Sequence, residues 1–325
     1  MTKYKTGLLG PDPIDERDLL ATQFLPKAEK LPETFNLKDK MTSIQTQFYG
    51  SCTSHSVDGV KEYQETLEEG FEIKLANRFI YHNTKVISGL WDMEGDYLRN
   101  AVKAVEKYGV PLEHDFIDDP ERTWKEYVTK VPSDEVYKKA LKYKAKGYLS
   151  VNNNIEAFRN TVFENKSPIV CGLLWYKNFK TEPDGKLPLP SGAQSGGHAI
   201  SYIGWEGDKE WFRNSWGMNW GKDGYFYILN KDFSKYNFWS GWTLYDLPND
   251  WMNKVKSMYK LIKLQNTKDI YAVNNNTKHL IINKYCFEQG VKDEQWLNWE
   301  NITSVNQNEF DNYKLGDVLV RVPNE

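Results

Sequence analysis

The order of apolar and polar positions divides the chain into a helical first half and a strand-rich second half. Apolar residues recur at helical spacing over residues 52–70, 95–109 and 154–165. From residue 168 the pattern changes to short apolar runs separated by Gly, Pro, Asp and Asn, which is typical of β-strands: PIVCGLLWY, AISYIGW, EWFRN and GYFYIL. Because the helices precede the strands, we expect two packed halves with a cleft between them within residues 36–250.

The two ends of the chain have a different pattern. Residues 1–35 place prolines among charged residues, as in LGPDPIDERD, and predict an extended arm. This arm either lies over the cleft or braces the back of the domain, and bracing is favoured.

After PNDWMNKVKSM, which is typical of a short connection, residues 256–325 contain short apolar runs with Asn-rich turns. They predict a small, mainly-β accessory module, in which Tyr271, Trp296 and Trp299 either bind a sugar or partner protein or form the core.

The composition excludes several classes of protein. The 325 residues carry a formal net charge of −3, with a pI near 6.1, and the charges are interspersed, so nucleic acid is not an expected partner. The mean hydropathy is −0.69, and without a run of about 18 apolar residues we expect no membrane span. The start lacks an apolar signal-peptide core, and Cys52, Cys171 and Cys286 are too scattered for a disulfide framework. We therefore expect a reducing compartment, with the protein cytoplasmic or associated with a particle.

One cysteine stands in a setting that suggests chemistry. Cys52 follows Gly-Ser at the predicted start of a helix, where the helix dipole favours a thiolate. A lone cysteine is more often a buried packing residue, and Cys171, inside an apolar run, is predicted to be one. Among the histidines, only His198 has a distinctive setting, in SGGHAISYIGW, which makes it the candidate base for Cys52.

Three blocks carry a resemblance to a known family. They are GSC at 50–52, GHAI at 197–200 with its preceding glycine, and NSWGMNWGKDGYFYI at 214–228. His198 follows Cys52 by roughly 150 residues, close to the separation of about 130–150 residues found in papain-type enzymes. Over residues 10–245 the chain resembles the papain-like cysteine peptidases, in particular their bacterial and phage branch. The resemblance implies an α+β, papain-like two-lobed fold, with a helical lobe, a twisted β-sheet or barrel lobe, and the active site in the cleft.

The resemblance also implies roles for individual residues. Cys52 would be the thiolate nucleophile that forms an acyl-enzyme, His198 the general acid and base, and Asn214 the residue that orients the imidazole. Trp216 would shield the hydrogen bond between His198 and Asn214, although it is equally interpretable as core packing, and so is the nearby Trp220. The expected reaction is peptide-bond hydrolysis.

The oxyanion hole departs from the family pattern. The family places a glutamine six residues before the cysteine, but Thr46 stands at that position here, between Gln45 and Gln47. We favour Gln47 as the oxyanion donor, because a one-residue deletion in the FYG turn is the simpler explanation. Gln45 remains the alternative, and so does a purely structural role for both glutamines.

The sequence predicts no metal site and no cofactor. Cys52 and His55 form a Cys-x-x-His pair, but no second Cys or His pair at ligand spacing accompanies them. The expected partners are a protein or peptide substrate and, through the C-terminal module, a surface or particle protein. Two other functions remain as alternatives: an amidase or transpeptidase that uses the same residues on cell-wall peptides, and a non-catalytic structural or binding protein. The aromatic residues of KYNFWSGW suggest an apolar wall in the specificity pocket.

Overall fold

The computed structural model describes residues 5–15, 18–118, 123–245, 260–265, 270–274, 277–281 and 303–315. The chain divides into two compact units, Met1–Leu247 and Pro248–Glu325.

The first unit contains the predicted helices and further ones. Helices are α1 (Ala21–Phe24), α2 (Cys52–Glu69), α3 (Asn77–Ser88), α4 (Leu98–Tyr108), α5 (Trp124–Thr129), α6 (Asp134–Ala140) and α7 (Ile155–Asn165). Short 3₁₀ turns occupy Lys38–Lys40, Glu113–Asp115, Leu141–Tyr143 and Asn230–Lys235. None of the described helices has the length and apolar character that crossing a bilayer requires.

The strands of the first unit form one antiparallel sheet. They are β1 (Thr34–Asn36), β2 (Gly147–Val151), β3 (Ile169–Tyr176), β4 (Gln194–Glu206), β5 (Lys209–Arg213), β6 (Tyr225–Leu229) and β7 (Phe238–Tyr245). The order across the sheet is β2-β7-β3-β4-β5-β6, and β1 pairs with the end of β4. This combination of helices and antiparallel sheet confirms the predicted α+β class.

Helix α2 connects the two lobes and begins at the candidate nucleophile. It ends at Gly70, which adopts a left-handed φ of 77° that glycine tolerates without strain. Its apolar residues pack in a core together with α4 residues such as Val102 and sheet residues such as Val170 and Ala199. Because α2 is buried on both sides, the position of Cys52 is fixed by the core and not by a surface loop.

The arm that precedes β1 packs along the outside of this unit. Asp12 accepts hydrogen bonds from the backbone N–H of Arg99 (2.9 Å) and from Nε1 of Trp242 (2.8 Å). Asp18 forms an ion pair with the same Arg99. Further along, the Leu19 carbonyl accepts from the Ser150 N–H. Residues 12–15 and 18–36 therefore brace the domain, whereas the described residues that precede them follow a different course, given below.

The second unit has its own sheet and core. Its elements are β8 (Lys260–Leu264), β9 (Ile270–Asn274), β10 (Thr277–Ile281), β11 (Thr303–Val305), α8 (Gln307–Asp311) and β12 (Lys314–Leu315). The strand order is β11-β8-β9-β10-β12. Ile262, Val273, Val305 and Phe310 form the core, and Tyr271 packs edge-on against Phe310 with ring centroids 4.8 Å apart. Tyr271 thus contributes to the core, while Trp296, Trp299 and Cys286 lie outside the described residues.

Several elements differ from the sequence prediction. Helix α3 and strands β2 and β7 are among the elements that were not predicted. His198 was expected at the mouth of a strand, but β4 begins at Gln194 and places it inside the strand. The predicted helices near 52–70, 95–109 and 154–165 are confirmed, and the Asn154 side chain caps the third one.

Candidate active site

The candidate nucleophile lies at the first residue of α2. Cys52 is fully buried, and the turn before it is held by a hydrogen bond from the Gly50 N–H to a carboxylate oxygen of Glu94 (2.9 Å). Its thiol packs in the same core as Ala199, the residue that follows His198 on β4. The fold therefore brings the start of α2, which carries Cys52, close to the part of β4 that carries His198.

The candidate base is held by an asparagine from the end of β5. Nε2 of His198 and Oδ1 of Asn214 are 2.7 Å apart. The backbone N–H of Ser215 also points to this oxygen, at 2.8 Å, so the atom that faces His198 is the amide oxygen. An acceptor at Nε2 requires that nitrogen to carry the proton, which leaves Nδ1 free to take a proton from a thiol.

Two tryptophans enclose the imidazole. The Trp216 ring stacks on His198, with centroids 4.3 Å apart and an interplanar angle of 23°. Trp175 meets the same imidazole edge-on at 5.0 Å, and Trp220 packs against both tryptophans. The rings keep water away from the hydrogen bond between His198 and Asn214, which strengthens it. Trp175 was not identified from the sequence, because it lies in an apolar run that predicts only a strand.

Gln47 and Gln45 face different surroundings. The Gln47 side chain accepts from Oγ of Ser215 (2.6 Å), and its backbone N–H donates to the Ser215 carbonyl (2.8 Å). The Gln47 amide nitrogen donates to the carbonyls of Tyr49 (2.9 Å), in its own loop, and Lys5 (3.1 Å). The amide nitrogen of Gln45 instead donates to the carboxylate of Asp58 on α2. Nothing in the sequence pattern distinguished Ser215 as the residue that orients Gln47.

The N-terminal residues Lys5–Leu9, here called the cleft segment, lie in this site. The Lys5 carbonyl accepts from Nε2 of Gln47 (3.1 Å) and from Nε1 of Trp216 (3.0 Å). The N–H groups of Gly7 and Leu8 donate to the Gly197 carbonyl, at 3.2 and 3.0 Å. The prediction that the arm braces the back therefore describes only its later part, whereas its first described residues occupy the cleft.

Burial under the cleft segment controls the charge of the candidate pair. Burial raises the pKa of the Cys52 thiol to about 11, although the backbone N–H groups of Ala199 and Gly7 act in the opposite direction. Burial likewise lowers the pKa of His198 to about 4, against the effect of its hydrogen bond to Asn214. Nδ1 of His198 has no hydrogen-bond partner among the described residues, so it forms no hydrogen bond with the Cys52 thiol. The sequence predicted a thiolate at Cys52, whereas burial in this closed form favours the neutral thiol and the neutral imidazole.

The remaining candidate residues from the sequence analysis make packing and hydrogen-bond contacts. His55 is buried with Nδ1 3.2 Å from Oγ of Ser51, and within the described part of the chain no cluster of metal-ligating side chains occurs. Cys171 is a buried, free cysteine on β3, as predicted. Trp239, from the KYNFWSGW stretch, lies beside Gly197 and Gly172 and packs with Leu8 of the cleft segment.

Comparison with known proteins agrees with this geometry. The family profile described as papain family cysteine protease matches residues 31–240, and the chain belongs to the papain family of cysteine proteases. An uncharacterized peptidase C1-like protein of Acanthamoeba polyphaga mimivirus is 25% identical over 259 residues, which are 69% of this chain and 83% of that protein. A cathepsin B-like cysteine proteinase 3 of Ostertagia ostertagi is 30% identical over 92 residues, 27% of this chain and about half (52%) of that proteinase.

Solved structures share the fold. Xylellain, a cysteine protease from Xylella fastidiosa, superposes with a TM-score of 0.65 at 25% identity, covering 75% of this chain and 97% of xylellain. Procathepsin B S9 from Trypanosoma congolense gives a TM-score of 0.56 at 19% identity, over 75% of this chain and 87% of that one. The chain is accordingly a cysteine-type peptidase with the papain-like fold, as the sequence predicted.

Proposed function

We propose that this peptidase hydrolyses peptide bonds through an acyl-enzyme on Cys52, with His198 as acid and base and Asn214 as the residue that orients it. The observation that carries the proposal is the 2.7 Å hydrogen bond between Nε2 of His198 and Oδ1 of Asn214. Trp216 stacks on this imidazole. The strand that carries His198 packs against the start of α2, where Cys52 lies. The hydrogen bond supports the tautomer in which Nδ1 accepts the thiol proton.

The reaction follows from these groups. Nδ1 of His198 takes the proton of Cys52, and the thiolate attacks the substrate carbonyl carbon to give a tetrahedral oxyanion. When the C–N bond breaks, the protonated His198 gives its proton to the leaving amine, and a thioester remains on Cys52. Water, deprotonated by His198, then attacks the thioester, and the acid product leaves as the thiol is restored.

Gln47 supplies an oxyanion donor in this proposal. Its amide nitrogen already binds a peptide carbonyl oxygen, that of Lys5, and Ser215 keeps the amide in this orientation. The backbone N–H of Cys52, at the positive end of α2, would be the second donor.

The two buried, free cysteines allow a matched test. Cys52→Ala is expected to abolish hydrolysis of a short fluorogenic peptide, whereas Cys171→Ala, a change of the same size on β3, is expected to retain it. Thermal unfolding of both variants verifies that they fold. Residual turnover in folded Cys52→Ala comparable with that of Cys171→Ala would refute the assignment.

We further propose that the peptidase domain spans residues 36–250 and that residues 256–325 form an attachment module for a surface or particle protein. The separate sheet and core around Ile262 and Phe310 support this division. A chain ending at Asp250, or at Lys256 so that Trp251 is retained, is expected to keep peptide hydrolysis. If both shortened chains fold but are inactive, the second unit is required for catalysis and the proposed division is wrong.

A further inference from the structure

We propose that Glu94 is a positioning residue for the nucleophile: its carboxylate holds the turn that precedes Cys52 and so keeps the thiol and the Cys52 N–H aligned for attack on the substrate. The inference rests on the function proposed above and names a further residue on which that function depends. It is carried by the way α2 begins, by a hydrogen bond between two loops, and by the anchoring of the loop that contains Glu94.

Helix α2 begins without a side-chain cap. Ser51 occupies the N-cap position, and its side chain accepts no hydrogen bond from a backbone N–H of the first turn. A side-chain cap usually fixes the entry of the chain into a helix. The Ser51 carbonyl is held from the helix, by Oγ of Ser54 (2.9 Å) and Nδ1 of His55 (3.0 Å). The residue before Ser51 therefore depends on contacts from elsewhere in the structure.

Glu94 supplies such a contact. The Gly50 N–H donates to a carboxylate oxygen of Glu94 at 2.9 Å. A Cβ on Gly50 would lie 3.1 Å from Cβ of Glu94 and 3.3 Å from the same carboxylate oxygen, so the two residues are closely packed as well as bonded. Hydrogen bonds to an ionised acceptor are the stronger kind. Because Gly50 stands just before Ser51 and Cys52, a shift of this turn moves the sulfur and the Cys52 N–H together.

The loop that contains Glu94 is anchored from below by Lys85 of α3. The Lys85 side chain is fully buried, and its ammonium donates to the carbonyls of Met93 (2.9 Å) and Gly95, the residues on either side of Glu94. The Gly95 N–H in turn donates to the hydroxyl of Tyr81 (2.9 Å). The backbone on both sides of Glu94 is therefore fixed, so its side chain can set the position of the turn instead of following it.

The same loop forms a wall of the cleft. The Asp96 N–H donates to the Gly7 carbonyl (2.8 Å), and the Asp96 carbonyl accepts from the Leu9 N–H (3.2 Å), so its backbone faces the cleft. Its fully buried carboxylate pairs with Lys85 at 3.4 Å. Glu94 thus links a wall of the cleft, held by Lys85, to the turn that carries the nucleophile.

A small displacement of this turn acts on the chemical step. A misplacement of about 1 Å in an active site costs about 100-fold in rate, because the attacking atom and the oxyanion donors lose their alignment. Without the bond to Glu94, the contacts of Ser51 with α2 still limit the displacement, so we expect a smaller loss, of about tenfold. The loss should fall on kcat, since Cys52 acts on the reacting carbonyl and the wall at Asp96 remains held by Lys85.

The test compares variants of Glu94 with a matched variant of Glu72, in the full-length protein. Glu72 also accepts from a backbone N–H, that of Ser43 (2.7 Å), and its side chain is 47% exposed, against 36% for Glu94. Glu94→Met and Glu72→Met remove the acceptor at similar side-chain length, whereas Glu94→Gln keeps a side-chain oxygen. The readouts are kcat and KM for a peptide anilide, with active sites titrated by an epoxide thiol-protease inhibitor.

The three variants should separate positioning from stability. We expect Glu94→Met to lower kcat about tenfold, with KM within about twofold of wild type. Glu94→Gln should keep kcat within about threefold of wild type, because its amide oxygen can accept from Gly50. Glu72→Met should retain the wild-type kcat. Thermal melts verify folding, and titration of active sites prevents inactive molecules from lowering the measured kcat.

Three results with an active wild type would overturn the inference alone: a wild-type kcat in folded Glu94→Met, an equal loss in Glu94→Gln, or an equal loss in Glu72→Met. If Glu94→Met does not fold, Glu94→Asp takes its place, because it keeps the charge but withdraws the acceptor. A fall in kcat of about threefold or more is then expected, and an unchanged kcat is the contrary result. A wild-type protein that hydrolyses no peptide would instead refute the proposed function, and this inference with it.

Discussion

Nε2 of Gln47 lies 3.1 Å from the carbonyl oxygen of Lys5, so the amide of one side chain already holds a peptide carbonyl in the cleft. This contact distinguishes Gln47 from Gln45, whose amide is committed to Asp58. The donors of an oxyanion hole act on a carbonyl oxygen. Gln47, which donates to the Lys5 carbonyl oxygen here, is therefore the stronger candidate.

Replacing the two glutamines separately should therefore give different kinetics. Gln47→Ala is expected to lower kcat by about 100- to 1,000-fold, the usual effect of losing one oxyanion donor. Gln45→Ala leaves Asp58 without its amide partner and should mainly lower the melting temperature. Steady-state kinetics on one fluorogenic peptide tests this. A large loss of kcat in Gln45→Ala with near-normal Gln47→Ala would reverse the assignment.

Ser215 should act through Gln47. Its hydroxyl donates to Oε1 of Gln47, and without that bond the amide can rotate away from the cleft. Ser215→Ala is expected to lower kcat by roughly tenfold, with little change in KM, since the donor is retained but less well placed. Ser215→Thr keeps the hydroxyl and should restore most of the rate. An Ala variant whose kcat equals that of wild type would show that Gln47 is oriented by other contacts.

The two histidines near α2 and β4 should differ sharply in their contribution. His198→Ala removes the group that accepts the thiol proton and should lower kcat by several powers of ten, on the order of 10⁴. His55→Ala removes a buried ring that bonds to Ser51, and its main effect should be on stability. Turnover is compared at temperatures where thermal melts show both variants folded. Equal losses of kcat would mean that the base has been wrongly chosen.

The pH dependence of Cys52 alkylation by iodoacetamide should report whether the cleft segment covers the thiol. With the pKa of Cys52 raised to about 11, only roughly one thiol in ten thousand is ionised at pH 7 in the closed form. Wild-type alkylation should therefore rise by about tenfold per pH unit from pH 7 to 10, since only the thiolate reacts. In Gly7→Ala, a Cβ at residue 7 would overlap the Gly50 carbonyl and displace the residues that cover Cys52. Restored solvation then lowers the pKa of Cys52, so the rate should level off at a lower pH. Identical profiles in the two proteins would show that the cleft segment does not control the thiol.

The sequence predicted the fold and the identity of the candidate residues better than their hydrogen-bond partners and protonation. Helix α2 followed from its apolar spacing and from Gly70, and Cys52, His198 and Asn214 followed from local motifs. Gln47 could not be separated from Gln45 by sequence alone, because the difference lies in contacts to Ser215 and Asp58 that are distant along the chain. The same limit applies to Gly7. It lies closely against Gly50 and Gly95, and no local pattern near residue 7 predicts this approach.

Burial, which also depends on residues distant along the chain, opposes the thiolate that the sequence predicts for Cys52. A helix start and a neighbouring histidine both favour a thiolate, and the sequence contains both. Burial outweighs them here, because Gly7 and Leu8 exclude water from Cys52. Burial of a site by a remote part of the same chain is a tertiary property, so the motif residues could not reveal it.

The central claim is that Cys52 is the nucleophile, and covalent labelling tests it most directly. The protein is incubated with an epoxide thiol-protease inhibitor to completion, over hours because the cleft segment slows access, and the modified residue is mapped by mass spectrometry. We predict one adduct, on Cys52, with peptide hydrolysis lost in proportion to labelling, and no adduct when His198 is replaced by alanine. An adduct on Cys171 or Cys286 that accounts for the loss of activity, with Cys52 unmodified, would contradict the account.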